Sequence, residues 1–147
     1  MAFMFNSGLQ LLATNTAGIK WDNVAISIKG ALVTSGYVYS SLHDTYSDLD
    51  HEISNGGYTP GGNLIIGRTC TQDDPGERVV HSATNVTFAA LAAGDLPAAI
   101  VVYRYDATGL PNTLLAYCAL TAPPPPNGSD YIVAWSATTG VFTITNA

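Results

Sequence analysis

Residues 98–106 read "AAIVVYRYD". β-Branched and aromatic residues follow one another with no polar interruption before Arg104. Such side chains favour a pleated, packed surface. An unbroken apolar run of strand length marks a strand buried on both faces. It needs a neighbour on each side and a layer of cover above and below. The run therefore predicts the central strand of a layered β-structure.

The rest of the chain supplies candidate neighbours. "VAISIKGALV" (24–33) places Val24, Ile26, Ile28 and Leu32 on one face at period two, with Ser27, Lys29 and Ala31 opposite. "NLIIGRT" (63–69) reads as a short strand after a glycine-rich turn, and "RVVHSATNVTFAAL" (78–91) as one or two strands carrying Val79, Val86 and Phe88. "TLLAYCAL", "YIVAWSA" and "VFTITNA" complete the set. "DATGLPN" (106–112) and "SATTG" (136–140) have the length and glycine of hairpin loops. "APPPPNGSD" (122–130) cannot join a ladder, because four prolines supply no donors; it predicts a stiff crossover between two sheets. Helical signal is confined to the start. There Phe3, Phe5, Leu9, Leu11 and Leu12 form a short apolar face before "TNTAG" ends it, giving an N-terminal helix or arm over residues 1–17. Seven or eight strands with turn signals every 8–12 residues predict an all-β sandwich over residues 1–147, one domain of jelly-roll or immunoglobulin-like kind.

Composition narrows the partners. The chain holds five Lys and Arg against eleven Asp and Glu, a net charge of −6. Nucleic acid needs a basic face to release counterions, so it is not an expected partner. No apolar run approaches the roughly 20 residues that span a bilayer, and the start lacks the basic n-region and long apolar core of a secretory leader; no membrane is expected. Charged residues are 11% of the chain, well below the usual ~25%. A surface poor in charge and rich in tyrosine suits one that other protein covers, although weakly charged, Thr-rich β-proteins have the same composition without it. Cys70 and Cys118 form no CxxC pair. They read as two buried free thiols in preference to a disulfide.

Chemistry is suggested most strongly by "LHDTYSDLDHEISNGGYTPGG" (42–62), where His43 and His51 sit among Asp44, Asp48, Asp50 and Glu52. "HEISN" opens like HExxH, but Asn55 stands where the second histidine belongs. A calcium loop beginning at Asp48 would need Gly at its sixth position and Glu at its twelfth; Ile53 and Thr59 are there. An irregular calcium site from Asp44, Asp48 and Asp50 stays open. The favoured reading is that Asp and Ser side chains cap local turns. "NGGYTPGG" fits no phosphate loop and reads as a backbone bend that anchors Tyr58. There is no GxSxG elbow and no Walker loop. No catalytic constellation and no cofactor follow.

The same stretch carries a resemblance. "GIKWDNVAISIKGALVTSGYVYSSLHDTYSDLDHEISNGGYTPGGNLIIGRT" resembles a family of small virion proteins of tailed bacteriophages, through Gly18, Ile19, Trp21, Leu32, Thr34, Tyr37, His43, Asp44, Asp48, Glu52, Gly57, Tyr58, Gly61 and Gly62. "NVTFAALAAGDLPAAIVVYRYDATGLPNTLLAYCAL" and "YIVAWSATTGVFTIT" are similar to its later segments. Phe88 stands where the family often has Trp, and residues 69–84 and the tetraproline loop fit poorly. The resemblance implies a capsid decoration, or cement, protein: a β-sandwich on the outer surface of the shell that binds the major capsid protein and stabilises the head. It implies a homo-oligomer, a trimer at local threefold axes or else a dimer. A tail or tail-fibre component and a carbohydrate-binding adhesion module are the alternatives. Phe3, Phe5, Tyr37, Tyr39, His43, Tyr46 and Tyr58 are the expected interface residues, with the "MAFMF" start against a neighbouring chain.

Overall fold

Ala99–Tyr105 is the middle strand of a five-stranded antiparallel sheet. Its residues from Ala99 to Arg104 are all buried. The structure, a computed structural model, describes residues 2–14 and 20–145. Met1, most of the "TNTAG" stop, Gly18 and Ile19, and the last two residues lie outside the described residues. In chain order the elements are β1 (Ala2–Met4), α1 (Asn6–Thr14), β2 (Ser27–Val33), β3 (Asn63–Leu64), β4 (Thr69–Asp73), β5 (Arg78–Ser82), β6 (Val86–Phe88), β7 (Ala99–Tyr105), β8 (Leu114–Ala119), β9 (Tyr131–Val133) and β10 (Phe142–Thr145). The main sheet has the order β1-β8-β7-β2-β3. The opposite layer is in two pieces, β10-β5-β4 and β6-β9. The fold is all-β and sandwich-like, with one short N-terminal helix.

The main sheet is buried on both faces because its strands alternate two apolar sets. Ile28, Leu32, Ile100, Val102, Ala116 and Cys118 face the split layer and meet Val86, Phe88, Tyr131, Val133 and Phe142. Ala31, Val33, Ala99, Val101, Tyr103 and Leu114 belong to a second core on the other face. The register of β7 with β8 shifts between Val102 and Tyr103. This bulge lets Leu115 and Ala116, adjacent in sequence, both join the first core while Leu114 joins the second.

Several expectations change. Val24 is 96% exposed, because β2 starts only at Ser27. Asn23 makes a turn instead, its side chain accepting the Ala25 N–H and its carbonyl the Ile26 N–H. The Arg68 guanidinium clamps this turn by donating to the carbonyls of Trp21, Asn23, Ile26 and Ile65. Phe3 and Phe5 are not on a helix face: Phe3 lies in β1, paired with Tyr117, and Phe5 follows it. "SATTG" closes a turn through Gly140 N–H to Ser136 carbonyl, but β9 and β10 then join different sheets. The tetraproline segment does cross between layers, from β8 to β9. Cys118 is a buried free thiol as expected; Cys70 is free but exposed, since it sits on β4, an edge strand.

Candidate functional site

The connection between β2 and β3 is the cover of the second core. Tyr37 is buried in that core, and Tyr39, Tyr46 and Leu49 pack against it beside Tyr117 and Tyr105. A tyrosine suits such a cover because its ring can be buried while its hydroxyl finds a partner. The Tyr37 hydroxyl bonds His43 Nδ1 at 2.8 Å. Tyr39 donates to the Met4 carbonyl at 2.6 Å. Tyr46 stacks on Tyr103 at 4.9 Å between ring centroids. Tyr58 instead reaches the first core, stacking on Phe88, and its hydroxyl accepts the Leu32 N–H of the main sheet.

Glu52 ties this cover together. Its carboxylate accepts hydrogen bonds from the hydroxyls of Tyr46 and Tyr58 and from the Gly61 N–H. The Gly61 carbonyl accepts from the Tyr103 hydroxyl at 2.7 Å. The neighbouring backbone is sewn to β2: Ile53 N–H reaches the Leu32 carbonyl and Thr34 N–H the His51 carbonyl. The "HD…SD…E…GGY" pattern therefore encodes hydrogen bonds that hold a loop to a sheet.

This arrangement shifts the phenols. Burial pushes Tyr37 up to about 12, with the Asp50 and Asp48 carboxylates adding to it. Burial first and the Glu52 carboxylate second raise Tyr46, Tyr58 and Tyr103 further. An unfolded phenol titrates near about 10. Above that pH the unfolded chain releases protons that the folded chain retains. Stability is thus intact below pH ~10 and falls as pH rises, by at most about 1.4 kcal/mol per pH unit for each such tyrosine and less for half-exposed Tyr46. We expect cooperative alkaline unfolding between about pH 10 and 12, with tyrosinate absorbance and loss of the β-sheet circular dichroism signal in one step. Full ionisation with the sheet signal intact would contradict it.

The acidic cluster serves turns. Asp48 Oδ2 accepts the N–H groups of Asp44 and Thr45, at 3.0 and 2.8 Å, and the Thr45 hydroxyl. These donors hold its carboxyl below the usual range. Asp50 pairs with His51 on the surface at 3.2 Å. Among the described residues no group of three or more His, Cys, Asp or Glu could hold a metal ion.

One nucleophile–base juxtaposition was not foreseen: Cys70 Sγ lies 3.6 Å from His81 Nε2. Burial raises the thiol and lowers the imidazole. Both shifts favour the neutral pair over a reactive thiolate beside an imidazolium. His81 stacks on Phe142 at 4.4 Å, and its buried Nδ1 has no hydrogen-bond partner.

Among the exposed apolar residues, Phe3 sits at the β1 edge in an aromatic group with Tyr39 and Tyr117. Phe3 is 43% exposed and lies 5.4 Å from Tyr39 and 6.4 Å from Tyr117, between ring centroids. Residues 38–44 run beside it, held by Asn6 N–H to the Ser41 carbonyl and by Ser7 Oγ to the Asp44 carbonyl. Val38 and Leu42, each 76% exposed, belong to this segment. Comparison with protein families, curated proteins and solved structures finds no match. Of the seven expected interface residues, Phe5 and Tyr37 are covered by their own chain. Tyr39, His43, Tyr46 and Tyr58 are partly covered, and Phe3 alone is well exposed. Val38 and Leu42 carry no motif signal in the sequence, since each is a lone aliphatic residue among polar and aromatic neighbours. No helix of the described residues is long and apolar enough to cross a membrane.

Proposed function

We propose that this chain is a bacteriophage capsid decoration protein that binds the outer surface of the major capsid shell and stabilises the mature head as a homo-oligomer, a trimer at local threefold axes. The resemblance, which runs from about Phe5 to Thr145, motivates the reading. The observation that carries it is the exposure of Phe3, Val38 and Leu42 on two segments tied to each other by hydrogen bonds. A preordered apolar surface loses little entropy on docking, so more of its contact energy appears as affinity. Contacts of this kind bury on the order of 1,000 Å² or more. A low charge density limits the desolvation that such a joint must overcome. Cement bound only to the assembled shell stabilises it by mass action.

The test is co-sedimentation with mature capsids stripped of small accessory proteins, followed by reconstruction of the decorated particle. The expected result is saturable binding and density on the outer shell. Phe3→Asp combined with Leu42→Asp should weaken binding at least about tenfold, the effect of some 1.4 kcal/mol, with the circular dichroism spectrum unchanged. Absence of binding by folded protein would overturn the reading. Density confined to the tail would replace it with the tail-component alternative, and glycan binding without capsid binding would replace it with an adhesion module.

A further inference from the structure

The split in the outer layer has a chemical consequence. β9 has a hydrogen-bonded neighbour only in β6, and β10 only in β5. The two strands leave a common turn, closed by Gly140 N–H to the Ser136 carbonyl at 2.8 Å, and do not pair with each other beyond it. Between them lies an open cleft of about 660 Å³. Ala119 at the end of β8, Leu120 just beyond it, Pro124, Ile132, Trp135 and Thr143 are among its lining, none of which is charged or carries a carboxamide.

We infer that this cleft is a strand-acceptor site: it takes one extended, uncharged peptide segment of a different protein, which pairs with β9 and β10 and joins the three-stranded and two-stranded pieces into one six-stranded layer. Two strand edges facing one gap call for a backbone that offers donors and acceptors on both sides, and only an extended peptide does so. The size agrees. β9 and β10 are three and four residues long. At a strand rise of about 3.3 Å per residue, a segment of about four residues spans strands of this length. A glycan fits less well, because vicinal hydroxyls are held by carboxylates, carboxamides and guanidinium groups that this lining lacks. A second copy is a poor donor: each described strand is already paired within its own sheets. The inference does not depend on the capsid reading.

The experiment follows backbone amide signals of isotope-labelled protein during titration with acetyl-Thr-Val-Thr-Val-Thr-amide. The expected result is saturable shifts and slowed hydrogen exchange at residues 131–136 and 140–145, with a dissociation constant below about 1 mM. The same peptide N-methylated at alternate residues should bind at least about tenfold more weakly, because it has lost strand donors but kept its side chains. Ala134→Trp fills the cleft from an exposed position and should cause the same loss. No shifts in these residues, or equal binding of the N-methylated peptide, would overturn the inference. Concentration-dependent shifts at β9 and β10 without peptide would overturn it in favour of a second copy.

Discussion

Glu52→Ala should cost about 3 kcal/mol, on the scale of 1.5 kcal/mol or more for each hydrogen bond to a charged acceptor. The substitution removes the acceptor of two phenols and of one backbone N–H. Part of that loss is returned where water reaches the half-buried site, which is why the full sum is not expected. Tyr58 retains its bond with the Leu32 N–H, but Tyr46 keeps only its stack on Tyr103. Glu52→Gln restores the acceptor without the charge and should recover about half the loss. Urea denaturation of the three proteins measures this. A change below about 1 kcal/mol for Glu52→Ala would mean that the carboxylate is solvated and the hub is not a stabilising one.

Gly62→Ala should be at least as damaging, at about 4 kcal/mol, or should leave the connection detached from the sheet. Gly62 has φ +66°, in the left-handed region. A Cβ there would lie 1.9 Å from the Gly30 carbonyl oxygen and 2.8 Å from Ala31 Cα. Those atoms belong to β2, which is paired along its length with β7 and cannot retreat. The left-handed conformation alone costs an alanine about 1 kcal/mol or more; the collision with backbone is the larger part. Gly109→Ala is the matched control, since Gly109 also has positive φ (+102°) but a Cβ there meets nothing within 4 Å. Equal effects of the two substitutions would show that φ alone, and not the approach to β2, sets the cost.

The two variants mark where sequence and structure part. "AAIVVYRYD" announces its place because burial on both faces leaves a run without alternation, and β7 is central. The tetraproline crossover is equally legible, since proline's missing donor is a local fact. Val24 misleads because the period-two pattern continues into a turn that Arg68 fixes from more than forty residues away. "SATTG" has hairpin chemistry, but which sheets its flanking strands join is decided by distant partners. In the cover, spacing rules dispose of the regular zinc and calcium motifs and leave the Asp and Ser side chains as turn caps, a role that Asp48 fills. They do not tell an inward tyrosine from an outward one. Tyr37 and Phe5 are drawn inward because the second face of the main sheet needs cover, and that need is visible only once the sheet exists. The role of Glu52 had one faint signal: it is the only glutamate in a segment whose other acids are aspartates, and its longer reach spans to Tyr46, Tyr58 and Gly61.

The strand pairings also set an order of events in time. Ser27 pairs with Tyr105 and Ala2 with Cys118, so the main sheet closes only after distant parts of the chain meet. Such non-local pairing places folding in the millisecond-to-second range. The connection carrying Glu52 and Gly62 has nothing to lie on until β2 and β7 have met, so we expect its bonds to form after the rate-limiting step. Loss of those bonds should then speed unfolding while leaving the folding rate nearly unchanged; a slowed folding limb for Glu52→Ala would place the cover in the nucleus. On this kinetic view the tyrosine cover acts as a latch. It contributes little to how the chain finds its fold and much to how long the fold lasts.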